Sequence, residues 1–176
     1  MEFRPVRKWN WSLSANVSRN YRMPTLNDLY WEKSGNPDLE PEQSLTVEAG
    51  TVVHAVAASG VLFLEGHLTG YYSWIDDLIV WQPVAGNSFL WRPFNLKTVH
   101  ARGIEAGLNL RLELGKWEVS MTNDYNFCRS TDEDPASGES GQTGKQLIYI
   151  PLHTFKSNLS AGWKGFYASY NFVYTS

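Results

Sequence analysis

The side chains in this chain best suited to chemistry are its acids and its aromatic rings. Glu65 and Glu105 are carboxylates of the kind a glycosidase recruits as a couple. Asp76-Asp77 and the run Asp132-Glu133-Asp134 could bind a cation, but neither has the ligand spacing of a calcium loop, so both read as solvated loop acids. His54, His67, His100 and His153 share no metal-ligand spacing, so no metal site is expected. Cys128 is the single cysteine, which excludes a disulfide framework and a cysteine metal cluster. No nucleophile elbow, phosphate loop or zinc motif accompanies the acids. The expectation is a protein that is not an enzyme and carries no cofactor.

The aromatic residues are the second candidate group. The chain holds eight Trp, nine Tyr and eight Phe among 176 residues. Tyr30, Trp31, Trp81, Phe89 and Trp91 fall in or beside long connections, where they could stack on a large ring ligand or a sugar. Trp74 reads as part of an interfacial girdle, as do Trp9, Trp11, Trp117 and Trp163 near the opposite ends of their strands. The net charge of −3 argues against nucleic acid as a partner.

The elements that must position these groups are strands. From Trp9 to Val17 every odd residue is apolar and every even one is Asn or Ser. A period of two over that length gives one greasy face and one wet face. Six later segments repeat the pattern: 45–55, 61–74, 98–112, 117–129, a stretch within 146–163, and one from Phe166 onward. Strands of about ten residues exceed the usual 5 or 6 of a soluble sandwich and match what a transmembrane barrel needs. Mean hydropathy is only −0.34 and no run approaches 18 apolar residues, so a transmembrane helix is excluded. Alternation gives a barrel such a soluble-looking average.

The connections alternate. Those at 57–60, 113–116 and 163–165 are short; those at about 20–44, 75–97 and 130–145 are long. All long loops therefore fall at one end, as in outer-membrane barrels with short periplasmic turns and long extracellular loops. The predicted fold is all-β: an antiparallel, up-and-down transmembrane barrel segment. Seven strands are odd in number and an open edge cannot stand in hydrocarbon, so a piece of a larger barrel is expected. The beginning, MEFRPVRKWNW, has no apolar h-region, so a barrel of this kind requires that Met1 not be the natural start.

The first long connection reads SRNYRMPTLNDLYWEKSGNPDLEPEQSLTVEAG. It closely resembles the TonB-dependent outer-membrane receptors, in which YR-x-PT-x-x-(D/E)-LY precedes GNP-x-L-x-PE-x-S and then a strand with E-x-G. The matching residues are Tyr21, Arg22, Pro24, Thr25, Leu29 and Tyr30, then Gly35, Asn36, Pro37, Leu39, Pro41, Glu42 and Ser44, then Glu48 and Gly50. IDDLIVWQP followed by NLKTVHARGIEAGLNLRL resembles the family's next hairpin with its R-G-x-E signature, and GKQLIYIPLHTFKSNLSAGW its P-x-H strand. The IVWQP and QLIYIP segments are similar to those of cobalamin-receptor-like members. The resemblance implies that residues 1–176 are about seven strands of a barrel of roughly 22, with the plug domain, the TonB box and the final strands lying outside this chain.

Glu48 lies with Thr46 and Gly50 on the polar face of its strand, and Glu105 with Gly107 and Asn109 on that of its own. Both carboxylates therefore point into the lumen, and a plug filling the lumen would desolvate them. The resemblance implies that plug arginines pair with two glutamates at these positions, a geometry suited to bidentate hydrogen bonding. The expected function is outer-membrane uptake of a large, scarce nutrient (cobalamin, an iron siderophore or similar) in a Gram-negative bacterium. The expected partners are outer-membrane lipid, the plug, the TonB complex and the nutrient itself. The alternative is a soluble, aromatic-rich β-sandwich that binds carbohydrate.

Overall fold

The computed structural model describes residues 10–57, 61–84, 86–133, 143–148 and 150–176. Trp9, residues 58–60 of the first short turn and Asp134 of the acidic run lie outside them. Seven strands form one sheet: β1 (Asn10–Arg22), β2 (Glu42–Ala57), β3 (Leu62–Val84), β4 (Asn87–Leu114), β5 (Trp117–Asp132), β6 (His153–Trp163) and β7 (Phe166–Thr175). Their order in space is their order in sequence, and every neighbouring pair is antiparallel. Among the described residues one five-residue helix, α1 (Leu26–Tyr30), sits between β1 and β2. No described helix is long and apolar enough to cross a membrane.

This is one layer, not two. Among the described residues the buried apolar side chains are Leu39, Ile79 and Val99. A sandwich would bury alternate residues of all its strands against a second sheet. The β-sandwich alternative is therefore wrong, because no second sheet covers the apolar face.

Residues that face one another across an antiparallel pair share a side of the sheet. The register thus carries the face assignment from strand to strand. Trp11, Leu13, Ala15 and Val17 of β1 lie with Val53, Thr51, Ala49 and Val47 of β2. The same side continues through Leu64, Leu68 and Tyr72 of β3 and Ile104, Leu108 and Leu110 of β4. It ends with Met121 and Phe127 of β5, Phe155 and Leu159 of β6, and Phe166, Tyr170 and Phe172 of β7. Many of these rings and branched chains are exposed, Val17 at 68% and Tyr170 at 65%. Such a surface is unfavourable in water and suits hydrocarbon.

Two rows of rings bound this apolar band. At the lower rim the Trp117 and Trp163 rings stack with centroids 5.6 Å apart, Phe166 stacks on Trp163, and the Lys164 ammonium lies 4.6 Å over the Trp163 ring. At the upper rim Tyr72 packs on Trp74 and bonds His100, while His153 packs against Tyr125 and Phe127. The lower row also gives the tilt. Trp11 shares its row with Val53, Gly66, Leu108, Asn123 and Ser157, whereas Trp163 lies six residues beyond Ser157 (163 − 157). Six residues at about 3.3 Å against five strand spacings of about 4.8 Å is a slope of about 40°, within the range of transmembrane barrel strands. At that slope the stretch from Trp163 up to His153 is about 25 Å tall, the height of a lipid-facing band.

The two described lower turns, at 115–116 and 164–165, are tight. Lys164 and Gly165 both have positive φ (46° and 88°), the type I′ geometry that matches strand twist. The upper connections differ from expectation. Residues 75–97 are not a loop: β3 and β4 run on past the barrel wall as a hairpin, paired up to Val84 and Asn87. The first upper connection is 23–41. The third spans 133–152, because β6 starts only at His153.

The face assignment has a direct test. In the complete barrel, Leu108→Arg at mid-height on the apolar side should lower stability by about 2–4 kcal/mol. Asn109→Arg, one residue on but lumenal, should change it by less than about 1 kcal/mol. Urea unfolding in vesicles measures both, and equal costs would contradict the assignment.

Candidate functional site

The wet face of the sheet carries Glu48 and Glu105, both exposed. Each is held by the residue directly across the next strand. Asn16 Nδ2 donates to Glu48 Oε1 at 3.1 Å, and Asn126 Nδ2 donates to Glu105 Oε1 at 3.1 Å. Each carboxylate keeps its second oxygen free of protein bonds among the described residues. The two acids stand two strands apart and two residues out of step, about 12 Å from one another. They are two separate posts, not one carboxylate couple.

The glycines around them have a steric reason. Tyr71 of β3 faces Gly103 of β4, and a Cβ at Gly103 would come within 2.5 Å of the Tyr71 hydroxyl oxygen. His67 likewise faces and covers Gly107. Glu105 therefore projects between two flat rings laid over glycines, which is what the R-G-x-E stretch encodes physically. Beside Glu48, a Cβ at Gly50 would meet Thr69 Oγ1 at 2.8 Å. Beside Glu105, which lines it, a cavity of about 410 Å³ opens among His67, Asp124, Asn126, Thr154 and Lys156.

Glu65 and Glu105 do not form a glycosidase couple. Glu65 faces Asn109, four residues from Glu105, a separation of about 13 Å along the strand, beyond the 5–9.5 Å such couples use. Glu65 is instead engaged by His54 at 3.0 Å and by Asn109 at 3.4 Å.

The motif-rich connection 23–41 forms a clamp on the tall β3–β4 hairpin. Thr25 caps α1: its hydroxyl accepts from the Asp28 N–H and donates to Asp28 Oδ2 at 2.7 Å, while the Thr25 N–H donates to the same carboxylate at 2.9 Å. The other oxygen of Asp28 accepts from the Trp81 indole at 3.0 Å, tying the helix to the hairpin. Gly35 lies so close to the Leu29 carbonyl (2.6 Å from a Cβ) that no side chain fits. Asn36 Nδ2 then donates to the Pro93 carbonyl at 3.0 Å. The Glu40 backbone and the Asn95 carboxamide exchange two bonds of 2.9 Å.

Glu42, 9% exposed, closes the clamp. Its Oε1 accepts from the Ile79 N–H at 2.7 Å and its Oε2 from Arg22 Nε at 2.6 Å, and a second Arg22 nitrogen also pairs with it. That bidentate bond holds Arg22 further toward its charged form. Leu39 and Ile79, two of the three buried apolar residues, lie in this region. Pro24, Pro37 and Pro41 interrupt backbone donation along the connection, and Tyr21 is exposed on the lipid-side face of β1 opposite Gln43.

The candidate ligand-facing rings are placed unequally. Tyr30 and Trp31 are exposed and border a shallow pocket with Asn27, Glu32 and Lys33. Trp81 is half-buried and spent on Asp28; Trp91 is half-buried opposite Pro83. Phe89, near the hairpin tip, is 96% exposed. The acidic residue Asp132, read as a solvated loop acid, is instead 5% exposed. The third upper connection is pinned by Gln146, whose carboxamide accepts from Ser130 N–H and donates to the Cys128 and Ile150 carbonyls. Sequence reasoning missed Asp28, Asn95 and Gln146 as organisers, since their partners are up to 55 residues away.

A single tilted sheet, apolar on one side, polar on the other and ringed by aromatic rows, defines a wall segment of a membrane-spanning β-barrel. The family model "TonB dependent receptor-like, beta-barrel" matches residues 3–176. The chain belongs to that family. It is 41% identical over 151 residues to the vitamin B12 transporter BtuB of Photobacterium profundum, covering 84% of this chain and 22% of that protein. It is 32% identical over 120 residues to BtuB of Vibrio vulnificus, covering 68% and 18%. The iron-regulated outer membrane virulence protein of Vibrio cholerae is 26% identical over 175 residues, covering 86% and 25%. Among solved structures the copper transporter OprC shares the fold, with a TM-score of 0.67 at 17% identity over 96% of this chain and 24% of that one. The chain spans about a quarter or less of the length of these relatives. The family is one of receptors and transporters.

Two predictions follow from the clamp geometry. Burial pushes the Asp28 carboxyl up, but the bonds from Thr25 and Trp81 and the charge of Arg22 outweigh it and hold the carboxyl below its usual range. A lowered folded value stabilises above the unfolded pKa, and that stabilisation is lost as pH falls through the folded value. Protection factors of the Leu29 and Trp31 amides, bonded to the Thr25 and Asn27 carbonyls, should therefore fall only below about pH 4, and Asp28→Asn should lower them throughout. A flat wild-type profile would contradict this. Glu42→Ala leaves the Ile79 N–H without its acceptor and Arg22 with only its 3.5 Å contact to the Ile79 carbonyl, a cost of about 1–3 kcal/mol, so Ile79 should lose roughly tenfold or more in exchange protection. Undiminished protection would show the clamp to be incidental.

Proposed function

We propose that this chain is part of the barrel wall of a TonB-dependent receptor in the outer membrane of a Gram-negative bacterium, and that the receptor takes up a cobalamin-type corrinoid. In this reading residues 1–176 are about seven strands of a roughly 22-stranded wall. A plug domain and the remaining strands complete the longer protein. β1 and β7 both present unpaired edges, which hydrocarbon does not tolerate, so each needs a further strand beside it.

The observation that carries the reading is the paired arrangement of the wet face: Glu48 and Glu105, each with one oxygen fixed by asparagine and the other presented inward. Plug arginines would complete the two carboxylates and hold the plug in the lumen. The TonB complex, acting through the plug, would break those contacts and open a path. Above them, the clamped hairpin and the rings of Tyr30, Trp31, Trp81 and Trp91 would contribute to the extracellular binding surface. Support for the corrinoid class is that two relatives, at 41% and 32% identity, carry the name vitamin B12 transporter, while the iron-regulated relative is at 26%.

Two measurements on the full-length receptor test this. Calorimetry should give tight binding of cyanocobalamin and none of a ferric siderophore; the reverse result would replace the substrate class. Glu48→Gln combined with Glu105→Gln should raise plug amide exchange about tenfold or more, given about 1.5–3 kcal/mol per charge-assisted bond lost. Plug protection equal to wild type would remove the two carboxylates from the latch.

A further inference from the structure

Arg102 of β4 and Arg129 of β5 face each other directly across the sheet, on the lipid side. Side chains so paired have Cβ atoms about 5 Å apart, and like charges in that position repel. Neither guanidinium has a hydrogen bond or a carboxylate partner among the described residues. The other paired arginines behave differently. Arg22 is bound by Glu42, Arg19 by Gln43, and Arg111 by both Glu113 and Glu118. Asp76 and Glu133, the acids above the pair, stand four residues further along their own chain segments than its level.

Their height matters. One alternation below them lie Ile104 and Phe127, which end the apolar band, and beside them lie Tyr72 and His100 of the upper ring row. From that row down to Trp117 and Trp163, the lipid-side residues of β4, β5 and β6 carry no charge. Arg102 and Arg129 are therefore the first charges a lipid molecule meets above its acyl chains, about 7 Å above the last apolar row. Two adjacent guanidinium forks with free donors match the oxygens of a phosphate.

We propose that Arg102 and Arg129 form a binding site for the phosphate of an outer-leaflet lipid headgroup. The bound anion neutralises the repulsion that the bare pair would suffer and fixes one lipid against the wall at β4–β5. This rests on the outer-membrane reading above, since only that leaflet presents phosphorylated glycolipid at this end of the barrel.

The test is native mass spectrometry of the full-length receptor in neutral detergent, titrated with bisphosphorylated lipid A, with the same lipid after dephosphorylation, and with inorganic phosphate. Wild-type receptor should retain the bisphosphorylated lipid, and Arg102→Gln combined with Arg129→Gln should weaken retention about tenfold or more. Removing the phosphates from the lipid should have the same effect. Arg102→Lys with Arg129→Lys keeps the charge without the forks and should fall between. Heat-modifiable gel mobility shows that each variant is folded. Equal retention by wild type and the Gln variant overturns the site, as does equal retention of the dephosphorylated lipid. Inorganic phosphate competing at the lipid's own concentration would reassign the pair to a free anion. Cyanocobalamin binding by the Gln variant is read separately, so failure of lipid binding leaves the receptor reading standing.

Discussion

A peptide group in hydrocarbon has no water to bond, and every feature of this sheet follows from that constraint. Strands satisfy it only by pairing on both sides, so the chain climbs and descends with each strand beside its sequence neighbour. Pairing in register then forces all outward residues of one row to share an environment. Apolar residues on that side and Asn, Ser, Thr and Glu on the other are the consequence, with no packed interior between them. The tilt of about 40° comes from the same pairing, since a closed barrel requires its strands to be staggered.

Where the strands leave the membrane the constraint lifts, and a different structure takes over. The β3–β4 hairpin continues upward without lipid or a second sheet to support it. An isolated two-stranded ribbon is marginal in water. The connection 23–41 supplies what the ribbon lacks: Asp28 on Trp81, Asn36 on Pro93, Glu40 on Asn95 and Glu42 on Ile79. Most of these bonds reach backbone or a half-buried ring, so the hairpin is held along its length. The residues that resemble the family motif thus support the β3–β4 hairpin, and the exposed rings Tyr30, Trp31 and Phe89 are what that support displays.

The wall was legible in the sequence because a period of two needs only local information. Leu108 and Asn109 announce their faces without knowledge of any partner. The short turns were legible for the same reason, as with Lys164-Gly165. The hairpin above residue 75 was not, because Asp76-Asp77, Gln82-Pro83 and Asn95 break the alternation once both faces meet water and loop. Nor was the late start of β6: the alternation of QLIYIP suggests strand, yet Gln146 turns its carboxamide onto three backbone groups and Pro151 has no N–H to give. The clamp depends on partners more than fifty residues apart, which motif resemblance can name but not explain.

In the proposed receptor one face meets lipid and the other a lumen filled by the plug. A nitroxide scan through residues 104–112 in the full-length receptor, reconstituted in bilayers with Cys128 replaced by Ser, tests it most directly. Oxygen accessibility should alternate with a period of two, high at 104, 106, 108, 110 and 112 with its maximum near 108. Labels at 105, 107 and 109 should be immobile and shielded from both oxygen and a water-soluble relaxer. An even profile, or water-soluble relaxation greatest at the even positions, would contradict the account.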